Sequence, residues 1–181
     1  RWDAQWMPKA EAMKRLGYVM QNGKWGRAEL AAADAQRAAK EKEARELLRR
    51  VGSTDPDRRR KAEAALTAIS GEHKLKPFLD ALDEPNERMR VCAAAGLGAV
   101  HDYRSLTPLV NAALADRSPD VRRAAVESVQ AIAGRSSVQP FVRALETLVD
   151  PHRRMNAARA LAILADPRAA PAVYRRYIRV I

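Results

Sequence analysis

From residue 56 onwards, small and apolar residues recur at i, i+3 or i+4 and i+7, the spacing that turns one face of a helix towards a core, and the pattern occurs four times. Aligning Arg59, Arg90, Arg122 and Arg154, which stand 31, 32 and 32 residues apart, carries three columns with them: Ala62, Ala93, Ala125 and Ala157; Leu66, Leu97, Val129 and Leu161; Ile69, Val100, Ile132 and Leu164. A second set keeps step. Pro77, Pro108, Pro140 and Pro171 each have an apolar residue two before (Leu75, Leu106, Val138, Ala169) and two after (Leu79, Val110, Val142, Val173). Each unit therefore predicts two helices. The first opens at Pro56, Pro85, Pro119 or Pro151, behind Asp, Glu or Ser, because a first turn tolerates proline. It closes near Gly71, His101, Gly134 and Asp166, where glycine or a short polar loop stops it. The second begins with the next proline in its first turn, and Ser105 and Ser137 are candidate N-caps. One such pair has about eight apolar side chains worth roughly 1.5–3 kcal/mol each, against about 1–2 kcal/mol for every residue ordered. Pairs must stack to fold, which is the physical reason for the repetition.

Carried backwards, the register puts Leu47, Leu48 and Val51 where Phe78, Leu79 and Leu82 fall, so a half unit precedes the array. The text before it is helical in propensity and mostly polar on every face, which predicts one long helix. Residues 1–26 do not follow the repeat. Trp2, Trp6, Ala12, Met13 and Leu16 suggest a short helix ended by Gly17, and "YVMQNGKWG" reads as a hairpin whose Asn22-Gly23 suits a type I′ turn. The three tryptophans either form a miniature core against that helix or present a docking patch. The expected organisation is a helix-and-hairpin module over 1–26, a long polar helix over 27–52, and an array over 53–181 in units of about 55–83, 84–116, 117–149 and 150–181.

The phrases "DEPNERMRVCAAAGLGAV" and "DRSPDVRRAAVESVQAI" share an order: an acid, a short gap, proline, an apolar residue, arginine, then alanine-rich text ending in an aliphatic residue. In this they resemble HEAT repeats, in the short form typical of the PBS-lyase HEAT-like family, over about residues 46–181. The resemblance implies an all-α fold, a right-handed solenoid of about four helix pairs that serves as an interaction scaffold. It also implies a structural ladder between units, with Asp55, Asp83, Asp116 and Asp150 available to Arg59, Arg90, Arg122 and Arg154. Fold families of this kind do not by themselves name a partner. A shorter phrase, "LGYVMQNGKW", is similar to one in large exported bacterial repeat proteins, which tilts the expected compartment towards export.

Composition narrows the partner without choosing it. The chain has 181 residues, 47% of them hydrophobic but only 5% aromatic, which suits closely packed helices better than a β-sandwich. Its formal charge of +11 favours nucleic acid, anionic lipid or an acidic protein. In the resembling arrays the second helices line the concave side, so the resemblance makes Lys74, Lys76, Arg104, Arg143, Arg168, Arg175, Arg176 and Arg179 the candidate partner-binding set. Such a stripe is either a solvated face or a nucleic-acid contact. The final helix leaves Tyr177, Ile178 and Ile181 with no following unit to cover them. Either the chain continues, or this end docks on a partner or on a copy of itself. No stretch of eighteen apolar residues occurs, and the opening at Arg1 is expected for a processed form or a piece of a longer protein.

Catalysis has little to stand on. His73, His101 and His152 sit at different offsets within their units and lack neighbours at ligand spacing, so no metal and no cofactor are expected. The paired His-Glu motifs of HEAT-like metal hydroxylases are absent. Cys92, the single cysteine, excludes an internal disulfide and falls in a helix where such a thiol behaves as a small hydrophobe. HEAT-like DNA glycosylases are the enzymatic alternative. They use acidic and aromatic side chains on a concave surface, whereas Tyr103, Tyr174 and Tyr177 are unevenly placed here.

Overall fold

The computed structural model describes residues 8–21 and 23–177, with the side chains of residues 21, 176 and 177 outside that description. At its start, α1 (Lys9–Arg15) is stopped at Leu16 and Gly17, the latter with a left-handed φ of 78°. β1 (Tyr18–Gln21) and β2 (Lys24–Arg27) pair antiparallel, Tyr18 opposite Arg27 and Met20 opposite Trp25. Gly23, at φ 77°, supplies the positive dihedral that a tight hairpin turn requires. Trp25 is half-buried, while Leu16 is exposed and α1 buries no residue. A two-stranded ribbon with one short helix has no second layer to cover it. Trp2, Trp6 and Asn22 lie outside the described residues.

α2 (Ala28–Val51) changes character along its length. Up to residue 43 only Ala31 is buried, and then Ala44, Leu47, Leu48 and Val51 enter the core. Eight further helices follow among the described residues: α3 (Pro56–Ala68), α4 (Gly71–Ala81), α5 (Glu87–Val100), α6 (Leu106–Ala115), α7 (Pro119–Ala133), α8 (Val138–Thr147), α9 (Pro151–Leu164) and α10 (Ala170–Tyr177). The result is an all-α solenoid. Its alanine column (Ala62, Ala93, Ala125, Ala157) and its aliphatic column (Leu66, Leu97, Val129, Leu161) are buried throughout. In the third column Ile69, Ile132 and Leu164 are buried, and Val100 is half-buried against the core. Small residues at these positions let helix axes approach closely, so one core runs from Ala44 to Ala172.

Several local details differ from the pattern expected of the sequence. The residues directly after the proline, Phe78, Leu109, Phe141 and Ala172, are buried in the core, and those two after it are half-buried against it. Helical geometry explains this, because Phe78 lies three residues from Leu75 on one face, as Phe141 does from Val138. Gly71 does not end a helix. It begins α4, so Pro77 sits inside that helix rather than in its first turn, and Pro77 is itself buried. Pro85 stays outside α5, whose cap is Asn86 accepting from the N–H groups of Arg88 and Met89. Ser105 and Ser137 precede α6 and α8 but make no side-chain cap. Ser105 instead donates Oγ–H to the Asp102 carbonyl at 2.5 Å. Proline and an oxygen-bearing cap do coincide at α3, α7 and α9, where Asp55, Ser118 and Asp150 accept from the first-turn N–H groups.

Each first helix packs against the helix that precedes it across a loop: α3 on α2, α5 on α4, α7 on α6, α9 on α8. α5 and α7 lie side by side in close contact, whereas α3 barely touches α5. That difference leaves an open cavity between α3 and α5.

Candidate functional site

Two surfaces emerge from this stacking: the outer face of the second helices, and the edge where the recurrent arginines sit. The arginines have a common duty. Arg59 donates Nη1–H to the carbonyls of Ser53 and Thr54, Arg90 to those of Glu84 and Pro85, and Arg122 to those of Asp116 and Arg117, at 2.8–3.1 Å in each case. Each guanidinium thus satisfies the two carbonyls that lie five and six residues before it and ties down the loop leading into its own helix. Among the described residues Arg154 makes no corresponding bond.

The acid–arginine ladder has one side-chain rung. Arg90 is buried at 5% exposure and grips Asp116 bidentately, Nε to Oδ2 at 2.8 Å and Nη2 to Oδ1 at 3.1 Å. Around that rung the loops of adjacent units are stitched together. Arg117 donates to the Pro85 carbonyl at 2.9 Å, Ser118 Oγ–H to Glu87 at 2.6 Å, and Asn86 Nδ2–H to the Gly52 carbonyl at 3.0 Å. Asp55 and Asp150 serve as helix caps, and Asp83 is exposed with no side-chain partner among the described residues. A ladder of side-chain pairs, as the resemblance implied it, misses this, because carbonyl acceptors leave no trace in a pattern of side chains.

The outer columns of the second helices read Lys76, Thr107, Gln139 and Ala170, and beside them Asp80, Asn111, Arg143 and Tyr174. This is a mixed face. Asp80 accepts from Arg45 at 3.2 Å, and Arg175 donates to Glu146 at 2.7 Å. Lys74 is half-buried and bonds the Leu66 carbonyl at the end of α3 at 3.1 Å. Arg104 lies in a fork on Asp102, and its hydrogen bonds hold that carboxyl down to about 2. Arg168 does the same to Asp166, also held to about 2, and in addition bonds the Arg135 carbonyl. Of the expected basic set, only Lys76 and Arg143 are exposed without a carboxylate or carbonyl partner among the described residues. The side chain of Arg176 and the whole of Arg179 lie outside them, as do the Tyr177 side chain, Ile178 and Ile181.

A third feature was not read from the pattern. Between α3 and α5 lies an open cavity of about 1030 Å³, floored by Leu66 and Phe78 and walled on the α5 side by Val91, Cys92 and Ala95. Its cause is visible once the columns are aligned. Where α5 turns Ala94 and Gly98 towards α7, α3 carries Glu63 and Thr67 towards α5. The α5–α7 joint is tight enough that a Cβ on Gly98 would meet Ser128 Oγ at 2.6 Å, and Ser128 Oγ–H donates to the Ala94 carbonyl at 2.8 Å. Burial pushes the Cys92 thiol up to about 11, with the nearby Glu63 charge adding to the shift, so this thiol is not poised as a nucleophile.

Chemistry of other kinds is sparse. Among the described residues no group of three or more His, Cys, Asp or Glu side chains could hold a metal ion, and no helix is long and apolar enough to cross a membrane. His101 and His152 are exposed, and His73, beside Glu72 at 3.4 Å, is half-buried against α2.

A model of the family described as HEAT repeats matches the chain three times, over residues 44–130, 75–162 and 106–178. The matches start at 44, 75 and 106, each time inside a second helix, and so advance by 31 residues. No curated protein matches the chain.

Proposed function

The chain belongs to the HEAT repeat family, and on that premise we propose that it is a non-catalytic scaffold that holds a protein partner along the outer face of α4, α6, α8 and α10. HEAT repeats are in general protein-interaction scaffolds. What favours a protein over a nucleic acid is the character of that face. Its outward columns mix Lys76 and Arg143 with Asp80, Asn111 and Gln139; Arg175 already faces a carboxylate, and so do Arg104 and Arg168 in the turns before α6 and α10. A phosphate backbone rewards an uncommitted row of cations, because each neutralised phosphate releases counterions. A protein surface rewards alternating donors and acceptors held at fixed spacing on a stiff frame.

The test is photo-crosslinking from positions 76, 111 and 143 in extract of the native source. One protein trapped at all three positions is the expected result. Salt-sensitive binding of the full chain to duplex DNA or RNA, lost in Lys76→Glu with Arg143→Glu, would instead assign the face to nucleic acid, a reading that the +11 charge keeps in play.

A further inference from the structure

We infer that the open joint between α3 and α5 is a docking groove for an amphipathic helix of a partner protein, one that brings a lysine or arginine to Glu63. The site lies between two first helices rather than on the second-helix face, and it does not rest on the reading of that face.

The shape calls for a helix. In the next joint the same wall of the solenoid is closed by a helix: α7 lies along α5, with small residues Ala94 and Gly98 in contact and Ser128 crossing to a carbonyl. Between α3 and α5 the corresponding strip is left unfilled, with Leu66 and Phe78 beneath it and Ala95 on its rim. A volume of about 1030 Å³ sits at the top of the 300–1,000 Å³ typical of small-ligand pockets. An open groove between two helices with an apolar floor is the kind of site into which helices lay their i, i+3, i+4 and i+7 side chains.

The charge calls for a cation. The basic residues in the lining are engaged with main-chain carbonyls: Arg59 with Ser53 and Thr54, Lys74 with Leu66, and Arg88, at 3.5 Å, with Ser53. Glu63 has no ion pair or hydrogen bond among the described residues, and it stands beside the apolar wall where its charge is felt at Cys92. An occupant that pairs with this carboxylate gains an interaction that the folded chain itself does not supply.

Cys92, the single cysteine, lies in the wall and reports occupancy without added labels. The probe is a helical peptide with leucine at i, i+3, i+4 and i+7 and lysines along one flank, with a glutamate-flanked version as its counterpart. At ten times its dissociation constant the lysine peptide should slow thiol labelling of the intact chain by about tenfold, and the glutamate peptide should leave it unchanged. Glu63→Lys should reverse the preference. Ala95→Trp, which fills the trough from an exposed position, should abolish binding of a fluorescent lysine peptide while helicity stays that of the parent; if helicity falls, Ala99→Trp on the same wall takes its place. Lys76→Glu with Arg143→Glu should leave peptide affinity untouched, so failure here is separable from failure of the second-helix face. The proposal is overturned by equal protection from both peptides, by no protection from either, or by a preference that survives Glu63→Lys.

Discussion

The joint between α5 and α7 and the joint between α3 and α5 are copies of one repeat, yet one is closed and the other stands open. In the closed joint, Ala94 and Gly98 let the backbones approach, Ser128 bridges them, and Arg90 locks the loops through Asp116. In the open joint the same columns hold Glu63 and Thr67, and Arg59 reaches only the carbonyls of its own loop. A repeat column can therefore keep its core residues while the columns beside it decide whether neighbouring helices meet. Two side chains that cannot be buried cheaply next to an apolar wall are enough to hold a joint apart.

Substitutions at matched positions break this contrast, and the largest effect belongs to the rung. Asp116→Ala strands the buried Arg90 and should cost about 3–5 kcal/mol in urea unfolding, whereas Arg59→Ala, which removes two bonds at a half-exposed site, should cost about 1 kcal/mol. Next comes crowding. Gly98→Leu drives a side chain into Ser128 and should destabilise by about 1–3 kcal/mol, while Thr67→Leu in the same column of the open joint should stay within about 0.5 kcal/mol of the parent. Ser128→Ala removes the bridge to Ala94 and should cost about 1 kcal/mol by the same measurement.

The smallest effect concerns the opposite edge of the array. Asp102 and Asp166 titrate at about 2 in the folded chain against an ordinary value of 3.8, because Arg104 and Arg168 hydrogen-bond their ionised forms. A carboxyl depressed on folding favours the folded state above its unfolded value and stops doing so as pH falls through its folded value. The thermal midpoint should therefore drop between about pH 4 and pH 2, and the pair Asp102→Asn with Asp166→Asn should flatten that part of the profile. Since neither joint contains these residues, the effects of Asp116→Ala and Gly98→Leu should be the same in that background.

Periodicity made the helices and the core columns legible, because burial of Ala93, Leu97, Ala125 and Val129 follows from spacing alone. In the second helices the columns two before and two after the proline pack on the core, but the residues directly after it, Phe78 and Phe141, go in deepest and had no column of their own in that reading. The recurrence of Arg59, Arg90 and Arg122 was plain, but their acceptors are backbone oxygens, which have no letter in a sequence. Arg90 finds Asp116 in the loop that leads into α7, 26 residues on, a partner that becomes specific only once α5 and α7 are in contact. The open joint had a signal in Glu63 and Thr67 standing where Ala94 and Gly98 stand in the next unit, but only stacking shows that those columns face a neighbour.

Native-state hydrogen exchange of the intact chain, read helix by helix, tests the contrast most directly. The amides of α5 and α7 should be the slowest in the molecule, and those of α3 should exchange at least about tenfold faster through local opening. Equal protection of α3, α5 and α7 would mean that the first joint is as closed as the second, which contradicts the account.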